Sequence, residues 1–248
     1  MKNTNILAIL LSGLFLFSSC KKDDVQNQAA TVKVNADGSL NVSDADGAFY
    51  TVVTKDFDTN NSSTFEEIHM AWGWAGKFPA VVNAGIVKAN NIEIDNYGNY
   101  YTSIAVLSFS DTLFKGANFN TVWSIQGNAS SGITGFTHTD NTPLPAGPSF
   151  TLPAAININN SLTITHTATS GALGVLYTLS GDKGDTTKYV ANTSSGITFT
   201  STEVKAVALS NSGISMSVMP ITYSSATYGG KKYYFVKQYQ YGRQTATL

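Results

Sequence analysis

One cysteine, Cys20, stands in 248 residues, so the chain can close no disulfide of its own, and the odd thiol needs an explanation. Charge is scarce as well. Lys, Arg, Asp and Glu together make 12% of the residues and the formal net charge is −1, so neither a basic patch nor an acidic tail points to nucleic acid. The three histidines, His69, His138 and His166, are scattered. No His-Glu-x-x-His helix, Cys/His grouping or Gly-x-Ser-x-Gly elbow exists, so nothing supports a catalytic residue, a metal ligand or a cofactor. Past residue 24 no apolar run approaches the roughly 20 residues that a membrane span requires.

The one long apolar run lies at the start. Lys2 precedes the uncharged stretch Ile6 to Phe17, broken only by Ser12 and Gly13, and Ser18 and Ser19 then lead into Cys20. This is the three-part layout of a secretory signal peptide, too short for a comfortable membrane span. Phe17-Ser18-Ser19-Cys20 resembles the lipobox of bacterial lipoproteins, with Phe where Leu is commoner. The resemblance implies that residues 1–19 are removed and that Cys20 becomes the lipidated first residue. More than one acyl chain then holds the protein to a membrane, where a single chain is marginal. Lys22-Asp23-Asp24 resembles the Lys-acid-acid export signal of surface lipoproteins in Bacteroidota-type bacteria. It implies the outer membrane, facing the cell exterior. A solvated charge cluster at the start of a tether explains the same letters, with a periplasm-facing anchor as the alternative.

The mature part is rich in Thr, Ser, Asn and Gly, with 12 Tyr and 13 Phe, a composition that fits pleated, half-buried surfaces. Residues 20–30 read as a lipid-anchored tether. Thr31 to Val34, the turn Asp37-Gly38 and Ser39 to Val42 read as a hairpin. Strands are expected at Gly47 to Thr54, Phe65 to Gly76, Ala80 to Val87, Asn91 to Asp95 and Tyr100 to Phe109, with a turn at Asn96 to Asn99. The pattern breaks near Lys115 to Asn118. A second series follows at Phe119 to Gln126, Ile133 to Thr139, Ser161 to Thr167, Ala172 to Ser180, Thr187 to Asn192, Ile197 to Thr200, Ile214 to Tyr223 and Lys232 to Tyr241. Thr200-Ser-Thr-Glu203 fits a capping box for one helical turn. The expected fold is all-β: a signal helix, then two antiparallel β-sandwich-like domains, residues 31–118 and 119–248. The second resembles immunoglobulin-like sandwiches in architecture, without their Cys-Trp-Cys hallmark.

Three smaller signals remain. Asp44-Ala45-Asp46-Gly47 could offer carboxylates to calcium, but it lacks EF-hand spacing and reads better as a turn. Gly181 to Asp185 lacks the Gly-Lys-Ser/Thr ending of a phosphate loop and reads as a hairpin turn. Ile68, Met70, Trp72 and Trp74 form an apolar stripe that reads as core, whereas Tyr233, Phe235, Tyr239 and Tyr241, with Lys237 among them, could instead form an exposed platform. These four are the candidate ligand-binding residues. The expected function is a non-catalytic surface module that binds glycan or protein. The alternatives are a structural or adhesive envelope component with no small ligand and, more distantly, a hydrolase with an unrecognised site.

Overall fold

The computed structural model describes residues 41, 43–56, 67–103, 120–167, 169–191 and 196–247. Cys20, Lys22, Asp23, Asp24 and the Asp37-Gly38 hairpin lie outside them. The first strands are β1 (Gly47–Asp56), β2 (Glu67–Lys77), β3 (Ala80–Val82), β4 (Val87–Ala89), β5 (Ile92–Tyr97) and β6 (Tyr100–Thr102). Next come β7 (Thr121–Ile125), β8 (Phe136–Asp140), β9 (Ala155–Ile156), β10 (Leu162–Thr165), β11 (Gly174–Gly181), β12 (Gly184–Ala191) and β13 (Gly196–Phe199). The helix α1 (Ser201–Val207) precedes two long strands, β14 (Gly213–Tyr228) and β15 (Lys231–Thr247). Among the described residues the structure is all-β apart from α1 and one 3-10 turn at Ala129–Ser131.

Thirteen strands form one mixed sheet whose main path runs β12-β11-β14-β15-β1-β2-β6-β5-β4-β7-β8, with β10 and β13 paired separately. The pairing of β1 with β15 is parallel, Ala48 opposite Tyr234 through Asp56 opposite Gly242. It joins the two ends of the described chain. The expected boundary at residue 118 is crossed by the ladder as well, because β7 pairs with β4, Trp123 facing Ala89. The expected strand from Ala80 to Val87 divides into β3 and β4, since the chain turns at Asn83 to Ile86, where Gly85 takes a φ of +78°.

The sheet curls upon itself and packs its apolar residues in three groups. Between β1, β2, β15 and the returning β4 and β7 lie Phe49, Ala71, Val87, Trp123, Ile125, Tyr233 and Phe235. On the same side of β15 but further along it, Tyr241 meets Leu162, Ile164, Val175, Phe199, Val204 and Val207, so the β10–β13 pair and α1 cover this second core. The opposite side of the sheet carries a third group, which includes Tyr50, Trp74, Met219, Tyr234 and Val236.

Sequence dictates α1 closely. Thr200 Oγ1 accepts from Glu203 N at 3.3 Å, while Glu203 Oε2 accepts from Thr200 N at 2.7 Å, so the capping box closes as expected. Val204 and Val207, three apart, share the buried side. Thr200→Ala removes one half of the box and should lower the unfolding free energy by about 1 kcal/mol in urea titrations, while Thr200→Ser should stay close to the parent.

Candidate binding face

The residues on the outer side of the sheet follow from strand register, since directly paired residues share a face. Trp74 pairs with Ala48 on one side and Tyr100 on the other; Ala48 continues to Tyr234 and Tyr100 to Tyr97. One row therefore reads Tyr97, Tyr100, Trp74, Ala48, Tyr234. The next row reads Asp95, Thr102, Trp72, Tyr50, Val236, Tyr223. Trp72 lies flat on Tyr50, with ring centroids 3.8 Å apart and planes 5° apart, and 5.8 Å from Trp74. Phe78 meets Trp74 edge-on at 5.9 Å. Offset stacks and edge contacts of this kind add to the stability gained from burial alone.

Burial falls off along the first row. Trp74 and Tyr234 are buried, but Tyr100 is 38% and Tyr97 56% exposed at the end of the β5–β6 hairpin. The two tyrosines face each other across that hairpin. Its turn is Gly98-Asn99, with φ of +59° and +73°, the signature of a type I′ turn, which glycine and asparagine accept at least cost. Tyr97 belongs to the strand, so the turn is two residues tighter than the sequence suggested. Asn96 Oδ1 accepts from Asn99 N at 2.8 Å. From the other face, the buried Tyr101 hydroxyl accepts from Ala84 N at 2.8 Å and donates toward Gly85 O at 3.0 Å. Burial raises the Tyr101 phenol above its ordinary value, against the Ala84 bond, which lowers it, so it stays protonated. The hairpin that carries the exposed rings is thus tied down from below.

The C-terminal stripe turns inward. Tyr233, Phe235 and Tyr241 are buried, and Tyr239 packs partly against the second core. Gly147 passes so close that a Cβ there would lie 2.7 Å from the Tyr239 ring. Tyr234 and Val236 on the other side of the strand are buried too. With both faces covered, these rings form walls rather than an open stacking surface. Trp74 belongs to the buried stripe as expected, and Trp72 is half-buried beside it.

Lys237 explains why the stripe is interrupted. It is 0% exposed, placed between the rings that feed the first core and those that feed the second. Its ammonium donates to the carbonyl oxygens of Asp140 at 3.0 Å and Thr142 at 2.5 Å and lies 3.7 Å from Asp140 Oδ2. Asp140 Oδ1 in turn accepts from Thr142 N and Ser224 Oγ. Thr222 and Thr51 flank Lys237 in the ladder, Thr51 bonds Thr121 at 3.1 Å, and Thr121 pairs with Asp140. A closed polar belt separates the two cores. Burial pulls Lys237 below its ordinary pKa, and Asp140 opposes that shift.

The remaining motifs have structural partners. Asp44 Oδ2 accepts from Lys232 Nζ at 2.8 Å and Asp46 Oδ2 from Lys232 N at 2.9 Å, fastening the start of β1 to the β14–β15 turn. Gly181 and Gly184 close a two-residue hairpin. His166 Nδ1 donates to Thr167 O at 2.7 Å, and its Nε2 meets the Tyr177 hydroxyl at 2.5 Å. His138 Nδ1 meets Tyr228 Oη at 2.9 Å, and His69 is half-buried on β2. Among the described residues no three His, Cys, Asp or Glu side chains gather as a metal site, and no helix is long and apolar enough to cross a membrane. No protein-family model matches the sequence, and no curated protein matches it.

Breaking the buried pair should cost far more than replacing it. Lys237→Met should destabilise by about 3–5 kcal/mol in chemical denaturation, because it strands the Asp140 carboxylate. Lys237→Met with Asp140→Asn should show a favourable coupling of about 1–3 kcal/mol in the double-mutant cycle.

Proposed function

We propose that this chain is a lipid-anchored, non-catalytic binding module of the outer membrane, facing the cell exterior, and that it holds glycan through the Tyr97–Tyr100 end of the outer aromatic face. The observation that carries this reading is the exposure of two cross-strand tyrosines, 56% and 38%, on a hairpin fixed by the Tyr101 network. Flat rings held open beside polar Asn96, Asn99 and Asp95 suit the apolar faces and hydroxyl edges of sugar rings. A preformed ledge also avoids the ordering cost that a mobile loop would meet on binding.

The anchor rests on Phe17-Ser18-Ser19-Cys20, the address on Lys22-Asp23-Asp24, and the tether on residues 20–30. The finer reading of the body, an immunoglobulin-like sandwich in its C-terminal half, is supported by the β10–β13 pair and α1 laid over β11, β14 and β15.

The full-length lipoprotein in detergent, tested against a glycan panel, should lose affinity about tenfold or more on Tyr97→Ala with Tyr100→Ala, at two stacking contacts of ordinary strength. Its thermal midpoint should hardly move. Unchanged glycan binding by that variant would overturn the site, and capture of a surface protein in place of any glycan would favour an adhesive component. Cys20→Ala should shift the protein from the membrane fraction to the soluble fraction; retention on the membrane would refute the anchor.

A further inference from the structure

The β7–β8 hairpin closes the first core from outside, and β8 does so by three successive contacts with the wall formed by β14 and β15. Phe136 stacks on Tyr228 at 4.2 Å and leans on Tyr233 at 4.7 Å. His138 lies on Phe235 at 3.6 Å, with planes 15° apart. Asp140 faces Lys237 at 3.7 Å. Among the described residues β8 has one ladder partner, β7. An edge strand with a single ladder partner depends on its side-chain contacts with the wall to stay closed, so loss of one of them acts on this strand first.

The middle contact is titratable and incompletely satisfied. His138 Nδ1 has the Tyr228 hydroxyl, while Nε2 is buried with no hydrogen-bond partner. In either neutral tautomer Nδ1 is served, as acceptor or as donor. The imidazolium must donate from both nitrogens, and Nε2–H finds no acceptor.

We propose that His138 is an acid latch: proton uptake by its imidazole releases β8, and with it the β7–β8 hairpin, from the wall of β14 and β15. The groups that face it are Asp140 on its own strand, Lys237 and Tyr233 on β15 and Tyr228 on β14. Trp123, its neighbour on β7, does not titrate. Burial raises the Tyr233 phenol above its ordinary value. Asp140 would welcome a cation, but its Oδ1 is already engaged by Thr142 and Ser224 and its Oδ2 faces Lys237. Burial lowers the His138 pKa first, Asp140 raises it and Lys237 lowers it again, for a net decrease.

The sign follows from linkage. Above the unfolded-state value of about 6.5, both states hold the imidazole neutral and the latch costs nothing. As pH falls below that value the unfolded chain takes up a proton that the folded chain refuses. The folding equilibrium then drops by up to about tenfold per pH unit, until the folded-state pKa is reached.

The test compares the full chain, its His138→Gln variant and a His166→Gln control in detergent between pH 8 and 5, by urea midpoints and by amide exchange. The parent should lose stability more steeply below about pH 6.5 than His138→Gln does. Amides of residues 136–140 should exchange ahead of those in β14 and β15 as the pH falls. Parallel pH profiles for parent and His138→Gln, or protection of residues 136–140 equal to that of β14, would overturn the latch. Should His138→Gln not fold, direct titration of the parent imidazoles by NMR decides. A His138 pKa at or above about 6.5 refutes the proposal, and one below it supports it.

Discussion

A fully buried ammonium is the constraint that the rest of the body accommodates. Taking a lysine out of water costs several kcal/mol, even after relaxation, unless oxygen atoms surround it. Lys237 finds them on β8 and the segment just after it, which are about a hundred residues away in sequence. To bring Asp140 and Thr142 there, the sheet must curl until its β8 edge lies over β15. Phe136 and His138 then fall into line against Tyr233 and Phe235 without a separate cause. The same belt of Thr51, Thr121, Thr222, Asp140 and Lys237 keeps the two apolar cores from merging, so the register of β15 against β1 and β14 is specified at its midpoint. A one-residue slip would move the ammonium to the opposite face of the sheet.

Most strands were legible because their alternation is local. Leu162, Ile164 and His166 alternate with exposed threonines, and the structure buries those three. The Thr200–Glu203 box and the Asp182-Lys183 turn were legible for the same reason, each being complete within a few residues. What could not be read was partnership. The parallel ladder of β1 with β15 joins segments almost the whole described length apart, and no local signal marks it. The exposure of the C-terminal stripe was equally hidden. Period-two spacing tells which residues share a face of β15, but Tyr233, Phe235 and Tyr241 on one side and Tyr234 and Val236 on the other are all apolar, so pattern alone cannot name the wet side.

The exposure of Tyr97 and Tyr100 was hidden in the sequence for a local reason. Tyr97 sat inside the stretch read as a turn, and Tyr100 opened a strand expected to run on to Phe109. Neither stood in a stripe of its own. Their common face appears only when Trp74, two strands away from Tyr97, is placed in the same row. The signal available beforehand was the turn itself: Gly98-Asn99 flanked by tyrosines is a tight hairpin that must display both side chains on one side.

The parallel ladder between β1 and β15 has a consequence for the order of events in the cell. A chain that leaves the ribosome N-terminus first presents β1 long before β15 exists. Until then β1 has at most one neighbour, and the residues that Phe49 and Tyr50 pack against on β15 have not arrived. The β1–β15 ladder therefore forms only after nearly all of the described residues have been made, a closure between segments far apart in sequence that costs more chain entropy than any local hairpin.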